Sequence, residues 1–202
     1  MSVQTVKHKP YIIGLTGGIA SGKTTASDYF KEKGIPIIDS DDIVKDLWQK
    51  DQHMVQEIED TFGYKMTAEG KKRLTQEIFQ DDFKRAQLNR IIHPKVFKKI
   101  EDEKKRYQHE AIILVDMPLL IEVGYQKEVN QVVLVYVDKD TQLDRLMKRD
   151  HLSKEDAYMR INSQMSMEEK KEYADVILDN THDISTLKEA IDSFLKRIIH
   201  EK

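Results

Sequence analysis

The stretch Tyr11-Ile12-Ile13-Gly14-Leu15-Thr16-Gly17-Gly18-Ile19-Ala20-Ser21-Gly22-Lys23-Thr24-Thr25 decides how the rest of the chain is read. It opens on an apolar run at 11–15, passes a glycine-rich turn and enters a helical pattern at 23–33. Residues 17–24 fill every fixed position of G-x-x-x-x-G-K-[ST], directly after a strand and directly before a helix. The glycines let backbone N–H groups turn inward around phosphate oxygens, and the helix that follows adds the positive end of its dipole. Gly18, Ile19, Ala20, Ser21, Gly22, Lys23, Thr24 and Thr25 are therefore the expected triphosphate-binding residues. Lys23 is expected at the β- and γ-phosphates, and Thr24 on a magnesium ion that accompanies the nucleotide.

Outward from this loop, apolar runs recur at 35–39, 111–117, 132–137 and 174–178. The runs at 11–15, 111–117 and 132–137 are nearly continuous rather than alternating, which suits strands covered on both faces of a parallel sheet, and those at 35–39 and 174–178 are weaker. Helical patterns at 141–148 and 184–199 alternate with them, the second carrying Ile184, Leu187, Ile191, Leu195 and Ile198 on one stripe. The expected fold is α/β, a five-stranded parallel sheet flanked by helices, built from 11–41 and 110–202. Residues 42–109 break the rhythm and read as a helical insertion with turns near Gly63, Gly70 and Pro94. A second, charge-dense helical segment runs over 149–172, where Ser153 and Asp156 have the spacing of a helix-start capping box. Residues 1–10 read as a polar extension.

Composition bounds the function. The 202 residues suit one compact domain carrying an insertion. With 33 basic and 36 acidic residues the net charge is -3, so nothing points to a nucleic-acid partner. There is no cysteine, which removes disulfides and thiol chemistry. No run approaches the roughly 20 apolar residues of a spanning helix, so a cytoplasmic location with no membrane association is expected.

Three classes share such a loop: small-molecule kinases, GTPase switches and ATPase motors. No N-K-x-D motif for reading guanine occurs between Val132 and Asn180, and the chain is short for a motor. A small kinase fits better. Asp39-Ser40-Asp41-Asp42 falls at the end of the second strand, and in such sheets ligands collect at strand carboxyl ends. Asp41 is the expected base that accepts the proton of an attacking hydroxyl; the competing reading is that Ser40 or Asp41 caps the next helix. Asp116 ends the apolar run 112–115, where a carboxylate would reach magnesium through water, or would simply close a strand.

Taken together, residues 14–24, Asp39-Ser40-Asp41, Ile92-His93-Pro94, Asp116-Met117-Pro118-Leu119-Leu120-Ile121-Glu122 and Gln142-Leu143-Asp144-Arg145 resemble the dephospho-CoA kinase family. Arg149-Asp150, Arg160-Ile161 and Gln164 follow in the family's order, and the resemblance spans 11–180. It implies ATP-dependent phosphorylation of the ribose 3′-hydroxyl of dephospho-coenzyme A, the last step of coenzyme A synthesis. By similarity Asp41 is the catalytic aspartate, Lys23 the loop lysine and Arg145 an arginine on the transferring phosphate. For Arg145 a guanidinium that binds two phosphate oxygens at once is the physical rationale, and a surface salt bridge the alternative. The resemblance further implies that 149–172 is a lid over ATP, with Arg149 and Arg160 at the nucleotide, and that 42–109 grips the coenzyme A portion. Lys71, His93, Leu119 and Leu120 are its expected acceptor contacts.

The chain departs from the family pattern in three places. Ala20 stands where glycine is common, Thr24 where serine is, and Lys71-Lys72 where an arginine usually precedes Ile78-Phe79. The expected partners are ATP, magnesium and dephospho-CoA, acting on a monomer or weak homo-oligomer. Another small-molecule kinase, or a nucleotide-binding regulatory module, is the alternative.

Overall fold

The computed structural model describes residues 9–200, so residues 1–8 of the expected polar extension lie outside the described residues. Five strands, β1 (Tyr11–Gly17), β2 (Ile37–Asp39), β3 (Ile112–Asp116), β4 (Gln131–Tyr136) and β5 (Val176–Asp179), form one sheet in the order β2-β3-β1-β4-β5. β1 runs parallel to both β3 and β4, and β4 runs parallel to β5. The five-stranded parallel sheet flanked by helices expected from the apolar runs is what forms.

The runs of β1, β3 and β4 are unbroken because both faces of those strands are covered. Ile13 and Leu15 of β1, Leu114 of β3 and Val133 of β4 join Phe30 of α1 (Lys23–Glu32) and Leu187, Ile191 and Phe194 of α9 (Ile184–His200) in one buried cluster. Phe30 and Phe194 meet edge to face at 6.3 Å. The intervening Ile113, Val115, Val132 and Leu134 are buried as well, which an alternating pattern could not supply. Each such side chain contributes about 1.5–3 kcal/mol on burial.

The chain divides into two compact units, one drawn from the residues up to Ile38 and from Tyr107 onward, the other Asp39–Arg106. The second holds α2 (Ser40–Lys50), α3 (Gln52–Phe62), α4 (Ala68–Gln80) and α5 (Asp82–Arg106), with α5 as the helix against which the other three pack. Its buried side chains include Leu47, Met54, Ile58, Leu74, Val96 and Ile100.

Two of the turns expected in this stretch are corrected. Gly63 does end α3, but Gly70 is the third residue of α4 and Pro94 lies inside the 25-residue α5. Gly70 is a close-approach glycine, since a Cβ there would meet the Lys65 carbonyl oxygen at 1.9 Å. Its N–H bonds to Thr67 Oγ1 at 3.2 Å, and that cap is where the helix starts. Proline in a helix interior costs about 3 kcal/mol. α5 continues through it because Ile91, Ile92, Val96 and Ile100 are buried on both sides of Pro94.

In the first unit, α6 (Lys139–Asp150) runs through Arg149 and ends at His151, which is left-handed with φ 54. α7 (Lys154–Asn162) and α8 (Met167–Lys171) fill the charge-dense segment. Ser153 caps α7 by accepting the Asp156 N–H at 3.1 Å, and a full capping box joins Ser166 to Glu169 at α8. Leu143 and Leu146 of α6 pack on Ala157 and Ile161 of α7, with Ile19 and Ala20 of the loop against them. No helix among the described residues is long and apolar enough to cross a membrane.

Leu114 is wholly buried between the neighbours of β3. Leu114→Ala should cost about 2–5 kcal/mol, read as a lower urea midpoint; an unchanged midpoint would contradict this core.

Candidate active site

β1 ends at Gly17 and α1 begins at Lys23, so five residues make the turn. Ala20 and Gly22 are both left-handed, with φ 58 and φ 88. Alternating handedness of this kind turns successive N–H groups into an anion-binding concavity. α1 has no side-chain cap and no acid in its first turn, whereas α2, α4, α6, α7 and α8 are each capped by an Asp, Thr or Ser side chain. The positive end of α1 is thereby left to an anion.

The loop is held from three elements. Gln142 of α6 donates its Nε2 to the Ile19 carbonyl at 2.8 Å, and Gln164 accepts the Ile19 N–H at 3.0 Å, so the peptide groups on either side of the Ile19 Cα are both held. Asn180, just past β5, donates Nδ2 to the Ser21 carbonyl at 2.8 Å. A Cβ on Gly22 would fall 2.1 Å from that same Nδ2, and one on Gly18 would meet Gln142 Nε2 at 2.7 Å and Met167 Sδ at 2.8 Å. The glycine pattern therefore answers to packing from α6, α8 and β5 as much as to phosphate. Sequence reasoning assigned no role to Gln142, Gln164, Met167 or Asn180. The one signal for Asn180 was its place at a polar strand end.

Strand register brings the acid to the loop. Asp116 pairs with Leu15 across β1 and β3, two residues before Gly17, and the Lys23 ammonium forms an ion pair and hydrogen bond with its carboxylate. Asp116 is buried, which decides against an ordinary exposed turn. Thr24 follows Lys23 as the exposed second residue of α1. Among the described residues no group of three or more His, Asp or Glu could hold a metal unaided. Mg²⁺ needs none, because it takes one or two protein oxygens and completes its shell with phosphates and water; the exposed Thr24 hydroxyl and the buried Asp116 carboxylate are donors of that kind.

In the helical unit, Asp39 rather than Ser40 or Asp41 caps α2, accepting the N–H groups of Asp41 at 2.8 Å and Asp42 at 3.1 Å. The Asp41 carboxylate is exposed in the first turn and is not the cap. Lys71 of α4 lies over the Trp48 ring at 5.3 Å. His93 stacks on Phe97 inside α5 with ring centroids 5.8 Å apart, and burial holds its imidazole below the ordinary pKa of 6.5.

Elsewhere in the first unit, Arg145 Nη2 donates to the His182 carbonyl at 3.4 Å. Arg149 and Arg160 converge on Asp150 at 2.8 and 2.9 Å, and the Asp150 contact raises the Arg149 pKa. Leu119 is 41% exposed, but Leu120 is fully buried and lies 2.6 Å from where Gly14 would carry a Cβ. The expectation that Leu120 contacts acceptor is corrected: its side chain fills the core because Gly14 leaves room for it.

A complete phosphate loop on a five-stranded parallel sheet, with a buried acid at the end of the strand beside it, defines a P-loop phosphotransferase of the kinase type. The model of the dephospho-CoA kinase family matches residues 11–186, and the chain belongs to that family. It is 40% identical to a dephospho-CoA kinase of Bacillus cereus over 192 residues, covering 92% of this chain and 96% of that one. A solved structure from Thermus thermophilus superimposes with a TM-score of 0.80 at 26% identity, covering 94% of this chain and 98% of that one. A dephospho-CoA kinase from Campylobacter jejuni does so with a TM-score of 0.67 at 29% identity, covering 93% and 96%.

The two left-handed positions should respond differently. Gly22→Ala places a Cβ where Asn180 stands, at a backbone conformation that costs other residues about 1–2 kcal/mol; melting temperature and ATP affinity should both fall. Ala20→Gly relieves the same backbone conformation with no such clash and should leave ATP affinity unchanged by calorimetric titration. Equal losses in the two variants would contradict the account of the loop.

Proposed function

We propose that the chain transfers the γ-phosphoryl group of ATP to the ribose 3′-hydroxyl of dephospho-coenzyme A, giving coenzyme A and ADP. The observation that carries this reading is family membership over residues 11–186 together with an intact loop whose Lys23 is braced by Asp116. Backbone N–H groups of 18–25 cradle the phosphates and Lys23 neutralises charge at the β- and γ-phosphates. Asp41, exposed on α2 and not used as its cap, accepts the proton of the attacking hydroxyl and aligns it. Arg145 binds the phosphoryl group in flight, supported by the bidentate geometry of a guanidinium and by its weak hold on the His182 carbonyl.

Magnesium would be held by Thr24 and, through water, by Asp116, and when bound it offsets charge on the triphosphate. Arg149 is assigned to the nucleotide, and 149–172 to a lid that excludes water. Residues 42–109 are assigned to the coenzyme A portion, with Lys71, His93 and exposed Leu119 as contacts. Lys71 gives a point charge where an arginine would give a fork. The setting proposed is the cytoplasm, with the chain a monomer or weak homo-oligomer.

The test is ADP release from ATP with and without dephospho-CoA, with the product examined by phosphorus NMR for a 3′-phosphomonoester. Acceptor-dependent ADP and that resonance are expected; turnover indifferent to acceptor would overturn the reading. Asp41→Asn should lower kcat by about 10²–10⁴ and leave ATP binding intact. Unchanged turnover would remove Asp41 from the role of base.

A further inference from the structure

Glu122 and Lys170 belong to none of the groups assigned to ATP, magnesium or acceptor. Yet the Lys170 side chain is 0% exposed. α8 has only five residues, and the next lysine, Lys171, sits over the Tyr136 ring and pairs with Glu168. A surface helix of this kind has no local reason to bury an ammonium. The reason lies in what Lys170 touches.

Its Nζ donates to Glu122 Oε2 at 2.9 Å and to the Pro118 carbonyl at 3.0 Å, and lies 2.8 Å from Glu122 Oε1. The Pro118 carbonyl also accepts the Thr16 hydroxyl at 2.9 Å, and Thr16 is the residue immediately before the phosphate loop. Glu122 in turn accepts the Met165 N–H at 3.3 Å, next to the Gln164 that holds Ile19. One ammonium thus joins the end of β1, the connection 116–122 after β3, and the segment that carries α8. That connection begins at Asp116, the partner of Lys23, and bears the exposed Leu119.

A buried ion pair is a poor device for stability alone, because an apolar side chain of the same volume usually does as well or better. What the pair supplies that an apolar residue cannot is a fixed register between the groups it bonds. We infer that Lys170, acting through Glu122 and the Pro118 carbonyl, is a positioning residue for phosphoryl transfer. It holds the connection from Pro118 to Glu122 against the segment assigned to the lid. This inference rests on the kinase reading above. Lys170 touches no reacting atom, so its loss should appear in the chemical step and not in nucleotide affinity.

Lys170→Met keeps the stem volume and removes the ammonium, while Glu122→Gln keeps the shape of its partner and removes the charge. Thermal melting, ATP affinity by calorimetry, and kcat and KM for both substrates should be measured for the wild type, each variant and the double variant. The expected result for Lys170→Met is a kcat lowered about tenfold or more, with ATP affinity within about threefold of the wild type, since groups that act only in the transition state move kcat. Glu122→Gln should lower kcat in the same sense, and the double variant should be no worse than Lys170→Met, because the two side chains act as one unit. A folded Lys170→Met with wild-type kcat, or effects that multiply independently, would overturn the inference. If Lys170→Met does not fold, Glu122→Gln decides: unchanged kcat overturns the inference and lowered kcat at unchanged ATP affinity supports it. Wild-type protein without dephospho-CoA turnover would overturn the kinase reading and this inference with it, which separates that failure from failure of the inference alone.

Discussion

The contact between the Lys23 ammonium and the Asp116 carboxylate is the one on which the rest of the core depends. Lys23 opens α1 and Asp116 closes β3, so the pair ties a helix start to a strand end 93 residues away. The register that sets Asp116 opposite Leu15 makes that reach possible. A one-residue slip would turn Asp116 to the other face of the sheet and leave a buried acid with no lysine to meet it. Register in β1 and β3, where burial is continuous, is therefore specified by charge as well as by the packing of Ile13 and Leu15.

The strand order gives the same logic to the other supports. β1 is the central strand, and the loop it feeds draws a partner from each side. β3 supplies Asp116, β4 leads into α6 with Gln142, and Asn180 follows the end of β5. All of these lie at strand carboxyl ends, where a parallel sheet gathers its functional groups. The loop's backbone conformation costs energy at Ala20 and forbids a side chain at Gly22. Hydrogen bonds to the Ile19 and Ser21 peptide groups offset that cost and keep the turn open toward an anion. This is preorganisation in the ordinary electrostatic sense: donors are fixed before charge develops.

Much of this could be read in the sequence, for identifiable reasons. The loop is a local object, with its strand, glycines and helix contiguous, so its fixed positions carried nearly all the information. The parallel sheet could be read because strands covered on both faces leave continuous apolar runs. Asp116 could be placed at a strand end, but its pairing with Lys23 depends on cross-strand register, which no local pattern encodes. Gln142, Gln164, Asn180 and Lys170 act across tens of residues, and each looks locally like an ordinary polar residue of a helix or turn. Gly70 and Pro94 misled because their usual local meaning is a turn, whereas burial of Leu74 around one and of Ile92 and Val96 around the other keeps the helices going. Leu120 misled for the converse reason. It sits beside an exposed leucine in a loop, and only the missing side chain of Gly14 draws it inward.

On the proposed function, residues 17–24 are a triphosphate cradle in which Lys23, paired with Asp116, carries the compensating charge. Calorimetric titration of ATP into the wild type and into Lys23→Met tests it most directly, with circular dichroism to verify that both are folded. Lys23→Met is expected to weaken ATP binding about tenfold or more, a loss of about 1.4 kcal/mol, with a smaller loss for AMP, which lacks the β- and γ-phosphates. Equal ATP affinity in the two folded proteins would contradict it.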